Sequence, residues 1–182
     1  LHTQGSLINT GNSLDISIEG DGFFQVLMPD GRVGYTRSGA FSRNSEGTVV
    51  TASGYPLQPE ITIPSDTLSI NIASDGIVTV QLPGTVDAEE VGQITLADFP
   101  NRQGLSPNGE SMLMETPASG APIVAAPFAE GMGRTVQGSL ESSNVNVVQE
   151  LVDMIETQRA YEVSSKTITS VDEMMRYLAQ NV

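Results

Sequence analysis

Apolar and polar residues alternate over short stretches along the first three quarters of the chain, and turn residues separate those stretches. Ile16 and Ile18 alternate with polar neighbours, and Gly20-Asp21-Gly22 then leads into Phe23-Phe24-Gln25-Val26-Leu27. Pro29-Asp30-Gly31 is a turn signal, because Pro presets φ and Asp-Gly tolerates positive φ, so it should close a hairpin with Val33 to Arg37. Asn44-Ser45-Glu46-Gly47 turns into Thr48-Val49-Val50. Leu68, Ile70 and Ile72 alternate, Asp75-Gly76 turns, and Val78, Val80 and Leu82 alternate back, which is the clearest hairpin pattern in the chain. Gln93 to Asp98 and Ser111 to Glu115 read as further strands around a Gly/Pro/Asn loop at 100–109, and residues 117–134 as irregular. No fixed-period repeat marks a solenoid or propeller.

The period changes near the C-terminus. Asn146 is a good helix N-cap, with Gln149 three residues on and Glu150 in the first turn, where negative charge suits the helix dipole. Glu162/Lys166 and Asp172/Arg176 stand four apart in the favourable order. Val147, Met154, Tyr161, Ile168 and Met175 recur every seven residues, whereas only Leu151 and Ala179 are apolar among the half-heptad positions that also hold Gln158, Ser165 and Asp172. Val148, Ile155, Val171 and Leu178 widen the stripe, which fits a bundle helix better than a strict two-stranded zipper. Ser164 to Ser170 is rich in Ser and β-branched residues and could kink the helix; the stripe keeps phase across it, which predicts one continuous helix. The expected fold is mainly β: a β-rich domain of short antiparallel strands and hairpins over residues 1–138, then a long C-terminal α-helix over 139–182. The Gly/Pro distribution marks that boundary, since all 18 Gly and all 10 Pro lie at or before position 138.

Composition then removes function classes. The 182 residues include eight Lys plus Arg and 22 Asp plus Glu, a net charge of −14. Five basic and 15 acidic residues give −10 over residues 1–140, and three and seven give −4 over 141–182, so neither half is basic. Nucleic-acid binding needs clustered cations and is not expected. No apolar run is long enough to span a bilayer, so no membrane insertion is expected, and no basic apolar leader opens the chain. With no Cys, and with His2 the only His, disulfides, thiolate nucleophiles, Cys zinc sites and His acid–base chemistry fall away. Gly-x-Ser-x-Gly, P-loop and His-Glu-x-x-His patterns are absent, and Gly131-Met132-Gly133 lacks the third glycine of a dinucleotide fingerprint.

The best carboxylate cluster is Asp15, Glu19 and Asp21. It could serve a glycosidase or calcium, with Phe23-Phe24 against a sugar, although turn and edge residues explain it more simply. Asp87, Glu89 and Glu90 read as a solvated loop. No catalytic, cofactor or metal residue is therefore assigned. What stands out is a helix stripe that needs a partner: Val147, Leu151, Met154, Ile155, Tyr161, Ile168, Met175 and Leu178 are the expected subunit-interface seam.

Some motifs go further. Leu1-His-Thr-Gln-Gly-Ser-Leu7, Thr10-Gly-Asn-Ser-Leu-Asp-Ile-Ser-Ile-Glu-Gly-Asp-Gly-Phe-Phe-Gln-Val26 and Tyr35-Thr-Arg-Ser-Gly-Ala-Phe41 resemble the β domain of bacterial flagellar rod and hook axial proteins. Gly138-Ser-Leu-Glu-Ser-Ser-Asn-Val-Asn146 with Gln158-Arg-Ala-Tyr161 is similar to the C-terminal signature of the family's distal-rod members. The resemblance implies a β domain in the outer layer of a hollow rod and terminal helices in its coiled-coil-like core. It implies self-assembly into a helical homo-oligomer that transmits torque from motor to hook in the periplasmic part of the basal body. The implied partners are copies of the chain, proximal rod and hook proteins, the P and L ring proteins around the rod, and the flagellar type III export apparatus. Enzymatic activity and cofactors are not implied.

Family members carry an N-terminal helix ahead of the Leu-His-Thr-Gln stretch, so this chain reads as truncated or as an incomplete gene model. It also lacks a long insertion between Phe41 and Tyr55 that some rod proteins carry. A sister axial protein of the proximal rod or hook stays open as the alternative, and more remotely an extracytoplasmic hydrolase or sugar-binding module.

Overall fold

A computed structural model of the chain describes residues 4–85 and 87–180, with side chains described through residue 176 at the C-terminal end. The chain divides into two compact units, Leu1–Ser143 and Asn144–Val182. In order, the elements are β1 (Leu7–Asn9), β2 (Ile16–Glu19), β3 (Phe23–Leu27), β4 (Val33–Thr36), β5 (Phe41–Arg43), β6 (Val49–Thr51), β7 (Leu57–Gln58) and β8 (Ser69–Ile72). They continue with β9 (Ile77–Gln81), β10 (Glu89–Gln93), β11 (Leu96–Asp98), a 3-10 turn at Arg102–Gly104, β12 (Ser106–Pro107), β13 (Met112–Met114), β14 (Ile123–Ala125), β15 (Arg134–Gln137), β16 (Ser139–Glu141) and α1 (Val147–Gln180). The fold is mainly β with one long C-terminal helix, as the alternation predicts.

The turn chemistry places the hairpins. At Pro29-Asp30-Gly31 the Gly31 N–H donates to Met28 O at 2.9 Å, and β3 pairs β4 with Leu27 opposite Val33. At Asp75-Gly76 the Gly76 N–H donates to Ala73 O at 3.0 Å, and β8 pairs β9 with Ile72 opposite Val78. A seven-stranded antiparallel sheet runs β12-β13-β4-β3-β11-β14, with β7 also on β3; β10-β9-β8 form a second sheet, and β1-β16, β2-β15 and β5-β6 form pairs.

β3 is the hub because both of its faces are buried. Phe24 is fully buried in the larger core, edge-on to Phe41 at 5.1 Å, among Ile16, Ile18, Leu57, Ile61 and Leu96. Phe23 points the other way, into a smaller cluster with Tyr35, Ala97, Phe99 and Leu105. Successive residues of a strand face opposite sides, so the Phe-Phe doublet is the sequence form of a strand covered on both faces. Met112 and Met114 pack inward as expected of strand residues.

Four readings of the sequence change. Glu89 and Glu90, read with Asp87 as a solvated loop, are exposed but begin strand β10, opposite Val80 and Thr79. The stretch from Gln93 to Asp98 is two strands, β10 ending at Gln93 and β11 beginning at Leu96. The 117–134 region contains a strand, β14, recruited by β11 with Ala97 opposite Val124. The segment 139–141, given to the helical tail because it lacks Gly and Pro, is strand β16, paired with β1 through Leu7↔Glu141 and Asn9↔Ser139. Absence of helix breakers permits a helix without requiring one, and here a partner strand more than 120 residues away takes the segment first.

Candidate functional site

The Asn144–Val182 unit carries the sequence-predicted seam. Asn146 caps α1 as expected: its side-chain oxygen accepts from the Val148 N–H at 3.1 Å and the Gln149 N–H at 3.4 Å. The reciprocal half of a capping box is not made, because Gln149 donates instead to Asp153 at 3.3 Å. Asn146→Ala is expected to cost about 1 kcal/mol of helix stability, read as lost ellipticity at 222 nm on thermal titration. The helix runs unbroken through the Ser/Thr-rich stretch, where the Thr167 and Thr169 hydroxyls donate back to the Val163 and Ser165 carbonyls at 2.8 and 3.2 Å. This internal bonding satisfies polar side chains without breaking the ladder. Among the described residues, Glu162/Lys166 and Asp172/Arg176 form no ion pair within 4.0 Å; exposed pairs of this type are worth little.

Every described side chain of α1 is exposed. Val147, Leu151, Met154, Ile155, Tyr161, Ile168 and Met175 are all between 49% and 78% accessible, with Tyr161 the most open. Leu178 lies outside the described side chains. On a straight α-helix a seven-residue repeat slips by about 20° per heptad. The Val147-to-Met175 stripe therefore winds around α1 by roughly 80° over its four heptads, and neighbours such as Val148 and Val171 keep some apolar surface beside it. A partner following this stripe must wrap with left-handed twist.

The carboxylate cluster does not converge. Asp15 is buried and takes hydrogen bonds from the Thr10 hydroxyl at 2.5 Å and the Asn12 amide at 2.9 Å. Glu19 pairs Arg134 at 2.6 Å across β2-β15, and Asp21 pairs Arg102 at 2.6 Å. Each carboxylate is held by a different element, and no group of three metal-ligating side chains occurs among the described residues. Phe23, the proposed sugar platform, is buried.

Arg102 also grips Asp98 through two 2.7 Å hydrogen bonds. Burial alone would raise the Asp98 carboxyl, but these bonds, a backbone N–H and nearby guanidinium charge hold it below its usual value, and hydrogen bonds to Asp98 and Asp21 raise Arg102. A carboxylate with a depressed folded pKa contributes stability above its unfolded pKa and loses it as pH falls through the folded value. Urea midpoints should therefore drop as pH is taken below about 4, and Arg102→Gln should flatten that dependence.

A residue singled out only as part of a motif proves central. Arg37 donates to Glu141 at 2.8 and 3.0 Å, to the Gly20 and Gly22 carbonyls at 2.8 Å each and to Ile18 O at 3.3 Å. Glu141 in turn accepts from the Gly5 N–H at 2.8 Å. The clamp ties the β2–β3 turn to β16 and to the segment before β1. Its only trace in the sequence is an arginine inside a family motif.

The arrangement is that of an assembly component: a β body whose buried side-chain polar atoms are all partnered among the described residues, and a helix with an uncovered apolar stripe. Comparison with known proteins gives the class. A family model described as the flagellar hook protein FlgE/F/G D1 domain matches residues 17–80, and one described as the flagellar basal body rod FlgEFG protein C-terminal region matches residues 136–181. The flagellar basal-body rod protein FlgG of Buchnera aphidicola subsp. Acyrthosiphon pisum is 49% identical over 180 residues, covering 99% of this chain and 69% of that protein. The FlgG of Agrobacterium fabrum is 46% identical over 182 residues, covering 100% of this chain and 70% of that protein. A sister rod protein, FlgF of Caulobacter vibrioides, is 34% identical over 179 residues, covering 96% of this chain and 67% of that protein. The chain belongs to the FlgG family of flagellar basal-body rod proteins. It is thus a structural component of the rod, from a family of structural proteins rather than enzymes.

Proposed function

We infer that the chain builds the distal part of the rod by helical self-assembly and passes motor torque to the hook, without a catalytic step. Residues 1–138 act as the outer-layer body and the C-terminal helix as the inner core. The observation that carries this reading is the exposed apolar stripe of α1 among the described residues, in a chain whose relatives are rod proteins. The axial partners are copies of the chain and the neighbouring proximal-rod and hook subunits. P and L ring proteins surround the rod, and the type III flagellar exporter delivers the subunit.

Magnitudes indicate how such a seam works. Full burial of a large apolar side chain is worth about 1.5–3 kcal/mol, so half-burying seven of them yields roughly 5–10 kcal/mol. Association costs of about 4–15 kcal/mol offset this. One seam is therefore marginal, and a stiff rod needs many repeated by helical symmetry.

In the full-length protein, Leu151→Asp or Met154→Asp should abolish rod assembly and swimming. The melting transition of the β body should stay within about 0.5 kcal/mol of the parent, as for other exposed substitutions. Normal swimming by strains carrying either variant would overturn the seam.

A further inference from the structure

Four of the five arginines in the β body are neutralised by its own carboxylates: Arg32 by Asp30, Arg37 by Glu141, Arg102 by Asp98 and Asp21, and Arg134 by Glu19. Arg43 is the exception among the described residues. Its exposed guanidinium donates to a carbonyl, that of Pro64, at 3.0 Å. The Thr67 hydroxyl donates to the same carbonyl at 2.8 Å, closing the turn that leads into β8. Asp66, in that turn, forms no ion pair with Arg43 within 4.0 Å. Leu68, the residue after Thr67, is 70% exposed, more than any other large apolar side chain of the body among the described residues. An unmatched cation and an uncovered leucine thus flank one turn.

The opposite end of the same hairpin carries the complement. Leu68 donates its N–H to Gln81 O at the open end, and the Ala73–Gly76 turn forms the closed end, five residues along the strand and roughly 17 Å at about 3.3 Å per residue. Pro127 packs on Gly76, its ring atoms 3.0–3.1 Å from where a Cβ would stand. Phe128 follows, 62% exposed and with φ +67. Glu130 is also left-handed at φ +54, exposed and outside any ion pair among the described residues. Hydrogen bonds from Phe128 N to Gly133 O and from Met132 N to Ala129 O close this loop. Phe128 is thus held out into water from a backbone region that bulky residues rarely adopt.

We propose that bodies of successive copies of this chain join head to tail, Phe128 and Glu130 of one copy seating against Leu68 and Arg43 of the next. The occupant is a second copy, argued from charge. Elsewhere the body surface is dominated by unmatched carboxylates, so most placements of two copies set like charges together. Arg43, although Asp66 lies in the same turn, is the body arginine with no carboxylate partner among the described residues, and it offers the Glu130 loop of another copy an unmatched cation. Two different patches at opposite ends of one rigid hairpin make a heterologous contact, which propagates instead of closing into a dimer. The proposal rests on the self-assembly reading and adds a body-to-body joint to the helix seam.

The protein has no cysteine, so Leu68→Cys and Phe128→Cys variants each present a single thiol. Mixed at concentrations where the chain associates by sedimentation and treated with a short bismaleimide, they should yield the mixed adduct about tenfold over either same-site adduct. Arg43→Glu or Glu130→Arg alone should weaken association about three- to fivefold, and the two together should restore it, with unchanged circular dichroism in every case. If the chain associates but the adducts are same-site or absent, or the charge swap restores nothing, the joint is overturned while self-assembly stands. If the unsubstituted chain sediments as a monomer at every concentration, both readings fall.

Discussion

Gly39→Ala should unfold or severely loosen the β body. An alanine Cβ there would stand 1.5 Å from the carbonyl oxygen of Ile16 and 2.7 Å from its carbon, both backbone atoms that no rotamer change can move aside. The approach is close because the Ile16 N–H donates to Gly39 O at 3.0 Å and Asp15 bridges Ala40, which pins β2 against the segment after β4. Relief would require breaking this bridge and moving Ile16, which is almost completely buried in the main core. Overpacking a core by a methylene costs about 1–3 kcal/mol when side chains can adjust. With backbone on the receiving side the cost should be at least about 3 kcal/mol, toward the diagnostic tail of single substitutions. A urea titration followed by tyrosine fluorescence reads it directly, and a midpoint unchanged from the parent would refute the packing argument.

Arg37→Ala should rank second. It removes a guanidinium that serves one carboxylate and three carbonyls, and leaves Glu141, whose side chain is only 13% exposed, without its cation. Breaking a buried pair from one side costs about 3–5 kcal/mol. Partial exposure of this pair lowers the expectation to about 2–3 kcal/mol, taken from the lower end of that range and the cost of unsatisfied acceptors. Arg37→Lys should recover little, because an ammonium cannot present the planar fork that reaches Glu141 and the turn carbonyls together. Glu141→Gln should be milder, since an amide oxygen can still accept. Equal losses for all three would show that the site acts through packing rather than through the fork.

Gly39 and Arg37 both belong to the Tyr35-to-Phe41 motif, and the structure gives each a physical reason. One permits a close crossing, and the other bonds across it. What was legible in the sequence was local. Hairpins closed by Pro29-Asp30-Gly31 and Asp75-Gly76 carry their own turn chemistry, and the Asn146 cap announces the helix. What was not legible depends on partners far away in the chain. β1, β14, β15 and β16 are three or four residues long, too short to show a period. They exist because β16, β11 and β2 offer edges to them. The same holds for the surfaces. The α1 stripe repeats and can be read as a pattern. Leu68, Phe128 and Arg43 are single residues in three separate segments, and only folding shows that they are uncovered or unmatched.

The β1-β16 pair has a mechanical consequence. Leu7 faces Glu141, so the strand that enters the body and the strand that leaves it meet at one end of a three-residue ladder. Forces that splay the two strands open such a ladder as a zipper, one rung after another, starting at its outer end, where the Ser142 N–H donates to Ser6 O at 2.8 Å. The Arg37 fork grips the next rung through Glu141, which also holds the Gly5 N–H. Peeling resistance is therefore concentrated in the first teeth of the zipper, where side chains reinforce the backbone.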